Sequence, residues 1–288
     1  MNLLPSSFEA LTSPQLSLYL SRLGLDPSIP LSPTKETLQT LLTAHATTIP
    51  WENTSLYLSH KPHPLSIPEI LETLVTERRG SYCFPNNILL SSALKSIGFQ
   101  AYTGVARLMH WNDAEKGYDA DAPVHMIVFV VVDGAVFLVD MDFNRVSVPL
   151  RVSHGERVVC AAGEIFEVRE VGEGGNGEGF VLWYGREGSE VKPFYWFTVK
   201  ECWKKDYEVM NFYVGNERKH DLHNVFLISR DVVGGGRVKV VQKKLYKSGE
   251  KGGVEMETLE EWVLMLMREF GVHLNEIEIE SAKQRLFS

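Results

Sequence analysis

The sequence predicts an α+β fold, helical at first and strand-rich from its middle onward, and three observations carry that expectation. Up to about Gly98 the apolar residues recur at helical spacing. From Gln100 they form short alternating or continuous runs cut by turns. After the last strand-like run, helical spacing returns from about Thr258 to Phe270. The 288 residues, 44% of them hydrophobic, suffice for a substantial core and for two or three modest domains.

The first expected helix, Pro14 to Leu23, takes Ser13 as its cap, places Leu16, Tyr19, Leu20 and Leu23 on one face, and stops at Gly24. The second, Pro33 to Ala44 behind Ser32, aligns Leu38, Leu41 and Leu42 ahead of Pro50. A third covers about Ile67 to Val75. A fourth opens at Cys83 and turns Leu90, Leu94 and Ile97 toward a core before Gly98 ends it. Pro85 fits there, because amides of a first turn have no intrahelical acceptor. Strands are expected over Ala101 to Leu108, Val124 to Val132, Ala135 to Val139, Arg157 to Cys160, Ile165 to Val168, Val181 to Tyr184, Tyr195 to Val199, Val225 to Ser229 and Val238 to Lys243. Gly172 to Gly179 reads as a flexible connector. Its Glu173 and Glu178 oppose a phosphate, and it lacks the lysine and hydroxyl ending of an ATP-binding loop. The closing helix aligns Trp262, Leu266 and Phe270 and stops at Gly271.

A formal charge of −8, with no basic tail or aromatic-basic cluster, argues against a nucleic-acid partner. The cysteines at 83, 160 and 202 neither pair completely nor fall at zinc-site spacing, so reduced thiols, no metal and a cytoplasmic setting are expected. The longest central apolar run, Met126 to Val132, is cut by Asp133, and the first residues lack a basic segment followed by an apolar core. Neither membrane insertion nor secretion is expected.

Chemistry enters with Cys83, His125 and Asp140: a sulfur nucleophile, an imidazole base and a carboxylate to orient it make a complete acyl-transfer site. A free thiol is only a few per cent ionised at neutral pH, so Cys83 needs the help that a helix start and a nearby imidazole supply. His125 begins a strand of which one face should pack inward. If Asp133-Gly134 forms a two-residue hairpin, Val132 pairs with Ala135, Ile127 with Asp140 and His125 with Asp142. Both aspartates then share the histidine face. The straight register favours Asp142 as the orienting carboxylate, whereas a bulge or a longer turn favours Asp140.

Several separated segments resemble the arylamine N-acetyltransferase family. Tyr19-Leu20-Ser21-Arg22-Leu23-Gly24-Leu25 is similar to its opening helix, and His45 with Ile49-Pro50-Trp51-Glu52-Asn53 to its "H...IPFEN" element. Arg79-Gly80-Ser81-Tyr82-Cys83-Phe84-Pro85-Asn86-Asn87 is similar to its nucleophile segment. Val139-Asp140-Met141-Asp142-Phe143-Asn144 resembles its "VDVGFG" element, and Asp206 to Tyr213, with Asn224 and Arg230, continues the likeness. The resemblance implies a helical N-terminal domain (1–98), a β-barrel-like middle domain (99–204) and an α/β third domain (205–288) around a papain-like cysteine site. It assigns the catalytic carboxylate to Asp140. It also implies acetyl-coenzyme A as acyl donor, ping-pong transfer through an acetyl-cysteine, and small aromatic amines, hydroxylamines or hydrazines as acceptors. Phe143 falls where the family has an aromatic pocket wall, and Glu52 and Arg79 where a buried ion pair supports the nucleophile. Arg107 is a candidate for packing near the pocket.

The chain departs from the family pattern at Ser81 and at Asp142 and Asn144, where glycines are usual, and at Pro85, where Glu or Gln is usual. Ser81 is expected to need room where the backbone runs tightly, and Asp142 to bring charge to the bound acceptor. A Cys-His-Asp triad alone also serves thiol hydrolases and transglutaminase-like enzymes, and an altered pocket serves a non-enzymatic acyl-coenzyme A-binding protein.

Overall fold

The computed structural model describes residues 7–143, 145–160, 163–172 and 178–288. Its first part consists of α1 (Ser13–Arg22), α2 (Lys35–Thr48), the short strand β1 (Trp51–Glu52), α3 (Thr54–Ser59), α4 (Ile67–Leu71) running on into a π turn over Glu72–Thr76, and α5 (Cys83–Ile97). Thr12 and Thr34, rather than Ser13 and Ser32, cap the first two helices. The Thr12 N–H donates to Gln15 Oε1 at 2.9 Å, and Thr34 Oγ1 accepts from the Thr37 N–H at 3.2 Å. A threonine three residues ahead of a partner able to reach back wins over a neighbouring serine without one. In α5 every residue from Cys83 to Leu94 is buried, as in a helix enclosed on all sides, and Gly98 ends it at φ 101°.

The middle of the chain is one antiparallel sheet made of β2 (Gln100–Asn112), β3 (Gly117–Ala120), β4 (His125–Val132), β5 (Ala135–Asp140), β6 (Val146–Arg151), β7 (Arg157–Val159), β8 (Glu164–Val171), β9 (Gly179–Arg186) and β10 (Lys192–Phe197). Its order is β6-β5-β4-β2-β10-β9-β8-β7, with β3 beside β2. The two ends of that order meet, so the sheet curls into a nearly closed barrel filled by Ile127, Phe129, Leu138, Phe166, Leu182 and Phe197. The opposite face of β4, with Met126, Val128 and Val130, packs against the helical core. Both faces of that strand are therefore buried, where the sequence reading expected one. Pro149 is tolerated in β6 because that strand terminates the order. Asn144 and most of the glycine-rich connector, residues 173–177, lie outside the described residues.

α6 (Lys204–Asn216) leads to a second antiparallel sheet of β11 (Leu227–Asp231), β12 (Arg237–Val241), β13 (Lys244–Lys247) and β14 (Val254–Glu255), followed by α7 (Leu259–Phe270) and α8 (Glu276–Leu286). Trp262, Leu266 and Phe270 of α7 pack on Phe226, Ile228, Val238 and Val240. β1 adds to this sheet by pairing Trp51 with Ser229 and Glu52 with Ile228. Because Trp51 also bridges Ser81, β1 links the segment that carries Cys83 to the last sheet. Among the described residues no helix is long and apolar enough to cross a membrane.

Candidate active site

Cys83 is the first residue of α5, where helix amides have no intrahelical acceptor and the helix dipole favours negative charge. The loop before it is organised by one buried carboxylate. Glu52 Oε1 accepts the Gly80 N–H at 2.7 Å and meets Arg79 Nε at 3.3 Å, and Oε2 accepts from the Thr54 hydroxyl. Arg79 turns its other edge to Glu278 of α8 at 3.1 Å. Glu278 escaped the sequence reading, although the capping box it forms with Asn275 is a sequence-level signal for α8. Burial opposes the charge on Glu52, but Arg79, the Thr54 hydroxyl and the Gly80 amide outweigh it and hold the carboxyl below its ordinary value.

The tight backbone approach falls at Gly80 and not at Ser81. A Cβ on Gly80 would lie 2.1 Å from the Pro50 carbonyl oxygen, whereas Ser81 is accommodated, buried, in a bridge to Trp51. Gly80→Ala therefore has to push the nucleophile loop off Pro50. We expect it to cost about 1–3 kcal/mol, read as a lowered melting midpoint; an unchanged midpoint would contradict this packing. Pro85, the third residue of α5, sits where no amide is needed.

His125 opens β4 and Asp140 closes β5. Asp133 (φ 50°) and Gly134 (φ 75°) make the expected two-residue turn, Val132 pairs with Ala135, and the ladder runs back to Val128 and Val139. There the straight register stops. β5 shifts register between Leu138 and Asp140 against β6, and the Met141 N–H is taken by Asn87 Oδ1 at 2.9 Å, so the chain turns away before Asp142 can come opposite His125. Asp140 Oδ2 meets His125 Nε2 at 2.7 Å, with side chains 0% and 5% exposed. Asn87 Nδ2 donates to Asp140 Oδ1 at 3.0 Å and to the Met126 carbonyl at 2.7 Å, while the Tyr195 hydroxyl donates to Asp140 Oδ2 at 3.3 Å. One turn along α5 from Cys83, Asn87 thus ties that helix to both strands.

With Nε2 engaged by Asp140, Nδ1 is the imidazole nitrogen left for the thiol. The His125 ring and the Met126 amide are the neighbours that pull the Cys83 thiol down. Burial disfavours a charged imidazole, but Asp140, Asp142 and the bonds to Asp140 and Cys83 outweigh it, so His125 is held well above its ordinary value. Burial pushes the Cys83 thiol up, His125 pulls it down, and Asp142 adds to the rise. Burial likewise raises the Asp142 carboxyl, with His125 opposing and Asp140 reinforcing. The Cys83 thiol thus faces an imidazole whose charged form is favoured by the Asp140 contact.

Phe143 is half-buried, edge-on to Trp51 at 5.3 Å between ring centres, with its carbonyl accepting from the Ser229 hydroxyl and Arg237. Arg107 instead braces the segment before β4 by donating to the Asp121 carbonyl at 2.9 Å. Cys160 and Cys202 are free thiols apart from the site. Sequence reasoning missed Asn87, Tyr195 and the Met126 amide. Only Asn87 carried a signal, its one-turn spacing from Cys83.

A family model described as N-acetyltransferase matches residues 34–279. The N-malonyltransferase FDB2 of Gibberella moniliformis is 29% identical to the chain, over 96% of this chain and 90% of its own length. An arylamine N-acetyltransferase of Mycolicibacterium smegmatis is 32% identical over 68% of this chain and 69% of its own length. The fold is that of the Mycobacterium marinum arylamine N-acetyltransferase solved in complex with CoA, with a TM-score of 0.81 at 22% identity over 94% of this chain and 98% of that one. With a mixed helical and sheet architecture, a nearly closed barrel and a family match across most of its length, the chain belongs to the arylamine N-acetyltransferase family.

Proposed function

We propose that this chain transfers an acetyl group from acetyl-coenzyme A to a small aromatic amine, hydroxylamine or hydrazine through an acetyl-Cys83 intermediate. The observation that carries the reading is the buried 2.7 Å bond between His125 Nε2 and Asp140, which leaves the other imidazole nitrogen to the thiol at the start of α5. In the first half-reaction the Cys83 thiol proton passes to His125, and sulfur attacks the thioester carbonyl. The bond to the coenzyme sulfur breaks, and the leaving thiolate takes the proton back. In the second, the acceptor nitrogen attacks the acyl carbon, the bond to Cys83 breaks, and the amine proton returns through His125 to the sulfur. Unpaired amides at the start of α5 and the Met126 N–H are the donors for the tetrahedral oxyanion. Phe143 walls the acceptor, and Glu52 with Arg79 holds the loop ahead of the nucleophile.

The likeness to an N-malonyltransferase raises a second donor, a malonyl thioester. In its ionised form Asp142, close to Cys83 and His125, would repel the free carboxylate of a malonyl group, so the neutral acetyl donor is the better match. Intact-mass spectrometry after exposure to acetyl- or malonyl-coenzyme A should find the acetyl adduct, on Cys83. A malonyl adduct alone would reverse the donor choice, and no adduct from either would remove the ping-pong mechanism. Release of free acid with no transfer to an aromatic amine would instead support a thiol hydrolase.

A further inference from the structure

Beside Phe143, β12 and β13 wall a cavity of about 150 Å³ against the end of β9. Its lining includes four cations, Arg186, Arg237, Lys239 and Lys247, with Ser248 and one carboxylate, Glu250. Three of the cations have partners: Arg186 and Arg237 share Glu164 at 3.7 and 2.8 Å, Arg237 also meets Asp231 at 2.8 Å, and Lys247 meets Glu269 at 2.8 Å. Lys239 has no ion-pair partner among the described residues, and its ammonium rests near the rings of Phe143 and Tyr246. The Arg237 side chain is 2% exposed, yet its buried Nη2 has no hydrogen-bond partner among the described residues. Glu164, paired with Arg237 through Oε1, also leaves its buried Oε2 without a partner among the described residues, so the Arg237–Glu164 pair does not use up the donor at Nη2, and a buried donor left open is costly and rare in a native fold.

We infer that this cavity is a binding site for a phosphate-class anion, with Arg237 Nη2 and Lys239 Nζ as its principal donors. Its volume equals about five water molecules, suited to a compact tetrahedral oxyanion. The donors are also of two kinds: a fixed guanidinium edge and a mobile ammonium, approaching from separate side chains. Burial and the neighbouring Arg186 and Arg237 depress the Lys239 ammonium, against the pull of Glu164, and an incoming anion would relieve that. The site adjoins the catalytic region, since Arg237 donates to the Phe143 carbonyl at 3.2 Å. If the acyl-coenzyme A reading holds, the phosphates of the donor are one source of the anion. Free inorganic phosphate is the other.

The test is isothermal titration of the whole chain and its Lys239→Gln and Arg237→Lys variants with coenzyme A, pantetheine and inorganic phosphate, after melting curves have established that each variant is folded. Loss of one charge-assisted bond should weaken binding of the anion about tenfold. Weaker coenzyme A binding with unchanged pantetheine binding assigns the site to the coenzyme phosphates. Weaker inorganic phosphate binding with coenzyme A unaffected assigns it to the free ion. Equal weakening for coenzyme A and pantetheine, or no change in any of the three in folded Lys239→Gln, overturns the inference. The two proposals fail separately: a chain that is never acylated at Cys83 yet binds phosphate through Lys239 would sink the acyltransferase reading and leave the anion site standing.

Discussion

Replacing Asp140 with Asn should slow acylation of Cys83 by about ten-thousand-fold, while the protein stays folded. All three side chains around this carboxylate present donors to it: His125 and Tyr195 at Oδ2, and Asn87 at Oδ1. An amide must turn its NH2 toward one of them. Either it faces a donor, or His125 adopts the tautomer with its proton on the thiol side, where it can no longer accept one. The charge that holds His125 well above its ordinary value is lost as well. Asp142→Asn leaves the Asp140–His125 bond intact, so it should alter acceptor preference more than the first transfer. Rapid-quench mass spectrometry of the two variants decides between them. Normal acylation by Asp140→Asn beside near-total loss in Asp142→Asn would reverse the assignment.

The second large effect is on stability. Glu52→Ala should destabilise the chain by about 3–5 kcal/mol, the range for a buried pair that loses one partner, because it strips a partner from Arg79 and an acceptor from the Gly80 amide. Retention of Glu278 by Arg79 favours the lower end of that range. The pH dependence follows from the depressed carboxyl. Its folded value lies below the ordinary 4.5, so between the two the unfolded chain binds more protons. This contribution is in place above the ordinary value and is lost as pH falls through the folded one. Urea unfolding across that interval should give a steep acid limb for the parent and a shallower one for the variant; parallel limbs would show that Glu52 is not the group responsible.

Much of the architecture was legible because it rests on local chemistry. Helical spacing set α5 and α7, Gly98 and Gly271 stopped them, and Asp133-Gly134 fixed a hairpin. The choice between Asp140 and Asp142 was not legible from spacing. It turns on where the ladder ends, and that depends on Asn87, which is 54 residues from the Met141 amide it captures. Tyr195 was illegible for the same reason, since its approach to Asp140 follows from how β10 pairs with β2 across the barrel. α6 has its buried positions at Tyr207, Asn211 and Val214, a spacing that could have been read. The Arg145–Asp231 pair, with Arg145 1% exposed, had no local pattern to announce it.

Arg79, four residues ahead of Cys83, is held from one side by Glu278, 199 positions later, and Arg285 of the same helix donates to the Tyr57 and His223 carbonyls. A ribosome delivers the chain in order, so α5 and the barrel emerge long before α8 does. Until the chain from His273 onward is in place, the Arg79 side chain has Glu52 as its partner among the described residues, and the edge it will turn to Glu278 is exposed to water. The nucleophile loop is therefore a late-maturing element, completed when the final helix docks. A chain halted before residue 276 should carry a folded barrel beside a loop at Arg79 that lacks its contact with Glu278.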